Sequence, residues 1–135
     1  MELEEYRAPA KLKLAALWAS TMFCYIYGDY FGLYVRGTVA DINRGIMGPL
    51  GRATPGILVG VSIMMAIPSL MVALSLLLPA VASKWANMIL GLVYTAIMAM
   101  SLPGSEPFYV MFGVIEMALT LAIAIVAFRW PRAAD

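Results

Sequence analysis

Four long apolar runs, separated by polar breaks, organise this chain. A helix needs about 20 apolar residues to cross the hydrocarbon core of a bilayer. The first run covers residues 14–33, with Lys11 and Lys13 before it and Arg36 after it. The second covers residues 56–78, between Pro55 and Pro79. The third covers residues 85–102 and stops at Pro103-Gly104, a dipeptide that ends helices. The fourth covers residues 108–128 and closes on Arg129-Trp130-Pro131-Arg132. Pro107 suits the first turn of that helix, where an amide hydrogen has no helical partner anyway. The first run is too long and too aromatic for a cleaved signal peptide, and no small-x-small cleavage site follows it.

The breaks predict the topology. Residues 80–84 and 103–107 are links so short that neighbouring helices must run antiparallel and pack side by side. The link over residues 34–54 is long. It holds Gly37, Gly45, Gly48 and Gly51, three arginines and a short apolar patch at Ile46-Met47 suited to a half-turn at the interface. The expected fold is an all-α membrane protein: one integral domain over residues 1–135, with four transmembrane helices in an antiparallel bundle. Arg7, Lys11, Lys13, Lys84, Arg129 and Arg132 fall at the end that holds the termini, against Arg36, Arg44 and Arg52 at the other. Basic residues favour the cytoplasmic side, so both termini are expected in the cytoplasm and the chain in the cell membrane. Trp18, Trp85 and Trp130 fall near span ends on that side, where indole rings settle at headgroup level.

Composition agrees with the pattern. The chain is 63% hydrophobic and 13% charged, against about 25% charged in soluble domains. A net charge of +1 gives no field for nucleic acid, and no nucleic-acid partner is expected. There is no histidine, which removes the commonest metal and haem ligand and the usual proton shuttle. Cys24 is the single cysteine, so no internal disulfide or Cys-x-x-Cys pair can form. Neither a cofactor nor an autonomous enzyme is expected, because no nucleophile–base pair, P-loop or metal-ligand cluster is visible.

Small residues mark where helices can approach. Gly28 and Gly32, and Gly56 and Gly60, have four-residue spacing, and Ser62, Ala66, Ser69 and Ala73 share one face of the second span. These faces suit contacts within the bundle or between copies, and a homo-oligomer is expected. Pro68, near the middle of the second span, should kink that helix and leave the Met64 carbonyl without its amide partner.

Two carboxylates lie where charge is costly. Glu116 is near the middle of the fourth span and Asp29 in the outer third of the first. Tyr109, Gly113, Glu116 and Thr120 form a small and polar stripe at helical spacing, and Asn87, Gly91, Tyr94 and Met98 form another on the third span. Tyr25, Tyr27, Tyr30 and Tyr34 surround Asp29. Together they describe a pocket in which Glu116 and Asp29 carry charge, Tyr25, Tyr94 and Tyr109 form walls, and Asn87 adds a polar group. Carboxylates among aromatic rings suit an organic cation, and a desolvated carboxylate suits proton coupling. The plain alternatives are that Glu116 bonds Tyr94 or Asn87 as structural glue, that Asp29 pairs with Arg36, and that the tyrosines form an interfacial belt.

The segments Tyr25-Ile26-Tyr27-Gly28-Asp29, Ile67-Pro68, Ser83-Lys84-Trp85-Ala86-Asn87 and Pro107-Phe108-Tyr109, followed by Ile115-Glu116, resemble the DUF6326 family of small bacterial and archaeal membrane proteins. The resemblance extends over about residues 14–131 and implies a four-helix membrane protein without assigning an activity. Small multidrug-resistance transporters also have four spans, but their essential glutamate lies in the first helix, so that role does not carry over to Glu116. The leading expectation is binding or transport of a small amphipathic or cationic molecule within the bilayer. The alternatives are a non-catalytic accessory or oligomerising subunit, and a quinone-linked redox subunit similar to DoxX-like proteins.

Overall fold

A computed structural model describes residues 1–133; Ala134 and Asp135, the end of the expected domain, lie outside the described residues. The protein is all-α. Its helices are α1 (Ala10–Gly32), α2 (Thr38–Asn43), α3 (Pro55–Leu77), α4 (Ala80–Ser101) and α5 (Pro107–Phe128), with a 3-10 turn at Gly48–Leu50. Among the described residues there is no strand, only an isolated bridge between Ile46 and Arg52.

Three helices, α3, α4 and α5, are long and apolar enough to cross a membrane. α1 is as long as α3, at 23 residues, but is not one of the three. Its tyrosines, Asp29, Lys11 and Lys13 lower its mean hydropathy. The third helix begins five residues before the expected start at residue 85, so Ala80–Lys84 is helix and not link. Pro79 ends one helix and starts the next: it cannot continue α3, and its carbonyl accepts from the Ser83 amide to open α4. The long link, expected to carry a half-turn, holds α2 and the 3-10 turn, one on each side of Ile46-Met47.

Neighbours run antiparallel, but contact is uneven. α5 packs along both α1 and α4, and α1 packs along α3, whereas α3 and α4 touch sparsely despite the short turn between them. Short linkage therefore did not impose side-by-side packing over the full length. The two helices meet at the end near Pro79 and separate towards the other.

Where they meet, polar bonds tie three helices together. The Trp18 indole on α1 donates to Asn87 Oδ1 on α4 at 2.7 Å, and the Ser75 hydroxyl on α3 donates to the same oxygen at 3.2 Å. Asn87 Nδ2 donates to the Ser83 carbonyl at 2.8 Å, and the Ser83 hydroxyl reaches the Ser75 carbonyl at 3.0 Å. Every member is buried, and both the amide oxygen and the amide nitrogen of Asn87 are satisfied. Lys11 Nζ donates to the Leu78 carbonyl at 2.7 Å, an orphan left by the end of α3.

Further along, Pro68 lies inside α3. Proline has no amide hydrogen, so the Met64 carbonyl lacks its i+4 donor, as the sequence predicts. The Tyr94 hydroxyl on α4 supplies one at 2.5 Å. The Trp18 and Tyr94 rings stand perpendicular with centroids 6.0 Å apart, linking this bond to the Asn87 cluster.

Close backbone approach occurs at α4 and α5. A Cβ added at Gly91 would lie 2.8 Å from the Thr120 carbonyl oxygen and 3.0 Å from the Ala124 amide nitrogen. Next to it, the Thr95 and Thr120 hydroxyls share a hydrogen bond of 2.6 Å. Gly32, Gly56 and Gly60 instead have nothing within 4 Å of such a Cβ, and Gly28 makes only ordinary contact. The GxxxG spacings on α1 and α3 are thus not where the helices of one chain press together.

Two outcomes follow. Gly91→Ala should lower stability by about 1–3 kcal/mol by forcing α4 off α5, while Gly60→Ala should be neutral or slightly stabilising; thermal unfolding in detergent compares them. Tyr94→Phe should cost about 1 kcal/mol. In a Pro68→Ala background, where a backbone amide can reach the Met64 carbonyl, that loss should shrink to less than about half. An undiminished loss in the double variant would show that the tyrosine acts elsewhere.

Candidate functional site

Above the Tyr94–Met64 bond the separation of α3 from α4 opens a cavity of about 770 Å³. Each wall comes from one helical face. α1 contributes Tyr25, Gly28, Asp29 and Gly32, at offsets of three, four and seven residues. α5 contributes Tyr109 and Glu116, seven apart, and α4 contributes Tyr94, Ile97, Met98 and Ser101. The first half of α3 closes one side with Leu58, Val61, Met64 and Met65. The long link folds across the end, bringing Asp41, Ile46 and Met47 to the same space. Its direction changes rest on glycines: Gly37, Gly45, Gly48 and Gly51 all have positive φ, which side chains disfavour.

Glu116 is the central group. It is 3% exposed, and its Oε2 is buried with no hydrogen-bond partner. Gly28 faces its other oxygen: a Cβ at Gly28 would stand 3.9 Å from Glu116 Oε1. The bond expected from Tyr94 or Asn87 does not form. Tyr94 is committed to the Met64 carbonyl and Asn87 to the Ser83 carbonyl and hydroxyl. Thr120, one turn on, donates to the backbone carbonyl of Glu116 at 3.0 Å and not to its carboxyl group.

Asp29 is exposed and lines the cavity closer to the link. Its expected pairing with Arg36 is absent; among the described residues the ion pair is Arg44 with Asp41, within the link. Three carboxylates line the cavity, Asp29, Glu116 and the Arg44-paired Asp41, and among the described residues no lysine or arginine does. The opposite end of the bundle differs. A smaller cavity of about 300 Å³ there is lined, among the described residues, by Lys13 and Arg129 and by no acid.

The tyrosines of α1, with Tyr34 just beyond its end, divide into two sets. Tyr25 turns inward and is buried, whereas Tyr27, Tyr30 and Tyr34 are exposed. The outer set packs around Phe31 at ring-centroid distances of 5.3–6.5 Å, and the Tyr30 and Tyr34 hydroxyls lie 3.2 Å apart. These outer rings form an aromatic collar and take no part in the cavity.

Of the residues expected to share a pocket, Glu116, Asp29, Tyr25, Tyr94 and Tyr109 are brought together. Asn87 is not. It lies two turns below Tyr94 on the same face of α4, inside the buried cluster with Trp18, where its bonding capacity is used by the protein. Sequence reasoning missed Gly28 as the gap before Glu116, although it sits on the Tyr25–Asp29 face. It also missed Asp41 and the methionines Met47, Met64 and Met65, since nothing in the residue order announces that the link and α3 form walls.

No curated protein and no solved structure matches the chain. The DUF6326 family, described as a family of unknown function, matches residues 1–134, and this chain belongs to it.

Proposed function

We propose that this protein binds, and passes across the membrane, a small amphipathic or cationic molecule held in the cavity between α1, α3, α4 and α5. The observation that carries the reading is Glu116: a buried carboxyl group with an unpartnered oxygen, in a space lined by acids and by no base. An uncompensated acceptor in such a place is destabilising, so an occupant that satisfies it gains affinity. The volume lies in the range of small-molecule sites, about 300–1,000 Å³. The tyrosine faces favour a cation, and four methionines supply an adaptable apolar surface for its body.

In this reading α1 is the fourth span and Asp29 is the charge nearer the mouth. At 23 residues α1 is about 35 Å long, enough to cross the hydrocarbon core. Both termini lie in the cytoplasm and the cavity opens towards the far side, where a cation would first meet Asp29 and then Glu116. The exposed face of α3 at Gly56 and Gly60 supports a second reading, in which copies of the chain, or a larger membrane protein, pack there.

Reporter fusions at Glu2 and after the last residue should both report the cytoplasm; opposite sides would remove α1 as a span. Ligand-induced thermal stabilisation, screened over organic cations and quinones, tests the site. Glu116→Gln should weaken binding of a stabilising cation about tenfold or more, a loss of about 1.4 kcal/mol. Asp29→Asn should weaken it less, because water screens an exposed carboxylate. Equal shifts in wild type and both variants would remove the carboxylates from the site and leave the packing role of α3.

A further inference from the structure

We infer that the cavity selects an ammonium carrying at least one N–H, a protonated amine with an apolar body, over a quaternary cation of the same size. The inference rests on the cation-binding reading above and adds which cation.

The argument begins with what Glu116 lacks. Its Oε2 is enclosed by protein and accepts no hydrogen bond. Two of the hydroxyl groups near it are engaged with other partners. The Tyr94 hydroxyl is held by the Met64 carbonyl at 2.5 Å. Thr120 is held by the Glu116 backbone carbonyl and by Thr95. Tyr25 and Tyr109 line the same space, yet neither bonds the orphaned oxygen. An occupant that brings a donor would give this carboxyl group the hydrogen bond it lacks. The two carboxyl oxygens exchange by rotation about the last side-chain bond, which is soft, so a donor in the cavity can serve whichever one faces it.

Both kinds of cation would be drawn by Asp29 and Glu116 and by the aromatic faces. Only an N–H group makes a charge-assisted hydrogen bond, which is shorter and stronger than charge attraction across a methyl group. A quaternary head presents four carbon substituents and leaves the oxygen unpaired, so the desolvation penalty of that acceptor persists. The approach is also narrow. The α1 wall beside Glu116 is Gly28, and even one carbon added there would stand in contact with Oε1 and with the Phe112 ring, each at 3.9 Å. Behind the head, Leu58, Val61 and Met65 on one side and Ile97 and Met98 on the other form an apolar channel for the body.

The test compares N,N-dimethyl-1-naphthylmethylamine with its N-methyl quaternary salt, a pair that differs by a methyl group in place of the N–H. Binding to the purified full chain in nanodiscs is read by titration. The tertiary amine should bind about tenfold or more tighter than the quaternary salt. In Glu116→Gln both should weaken, and the ratio should fall to within about twofold. Gly28→Ala adds a methyl group at ordinary contact distance, so the fold is kept; amine affinity should drop about threefold or more as the head is crowded. Equal affinity for the two cations, with both lost in Glu116→Gln, would overturn the N–H requirement and leave the cation reading standing. Binding of neither cation would overturn both. Unchanged amine affinity in Gly28→Ala would put the ammonium away from Glu116 and overturn the inference.

Discussion

The hydrogen bond from Tyr94 to the Met64 carbonyl divides the molecule into a packed half and a hollow half. Pro68 removes the amide that would have served that carbonyl, and Tyr94 reaches from the neighbouring helix to replace it. Towards Pro79 the two helices are joined through Ser75, Ser83 and Asn87. Away from it α3 stands off, and the released space is the cavity. The same tyrosine stands perpendicular to Trp18 below and lines the cavity above. A proline and a phenol thus position the boundary between structure and site.

The way the chain coheres follows from its apolar outside. Large apolar side chains such as Phe23, Ile63, Leu70, Ile89 and Val114 are exposed. In a lipid setting, burying more of them adds little drive, since the surroundings are as apolar as the interior. Cohesion then falls to close backbone contact and interhelical hydrogen bonds. Both are present and concentrated: Gly91 against Thr120 and Ala124, the Thr95–Thr120 pair, and the Trp18–Asn87 bond. Polar residues on inward faces are therefore of two kinds. Asn87, Ser75, Ser83 and Thr120 are spent on holding helices together, while Glu116 is left unspent.

That division gives the functional reading its physical basis. The protein satisfies an asparagine with four bonds and leaves a buried glutamate oxygen with none, and that unmet acceptor is what the proposed occupant would serve. The charge pattern agrees, with acids around the cavity and Lys13 and Arg129 around the small cleft at the opposite end.

By itself, the sequence determined the helices and much of what faces inward. Apolar runs broken at Pro55, Pro79, Pro103 and Pro107 mark four long helices, because proline and glycine end helices through backbone chemistry that depends on no neighbour. The stripes Tyr109–Gly113–Glu116–Thr120 and Asn87–Gly91–Tyr94–Met98 show which faces turn inward, because helical periodicity is local. The freed Met64 carbonyl was legible from Pro68 alone. What the tertiary structure decided was partnership. Asn87 and Glu116 look alike in the sequence, as polar groups on inward faces, but one met Trp18, Ser75 and Ser83 and the other met no donor. Gly91 and Gly60 are both small residues on apolar helices, but only Gly91 has a neighbouring backbone against it. Adjacency in the chain misled at the α3–α4 seam, since a short turn fixes where two helices meet and not how far they stay together. Those outcomes depend on the relative placement of whole helices, which is a balance of contacts between residues far apart in the chain and leaves no trace in any one segment.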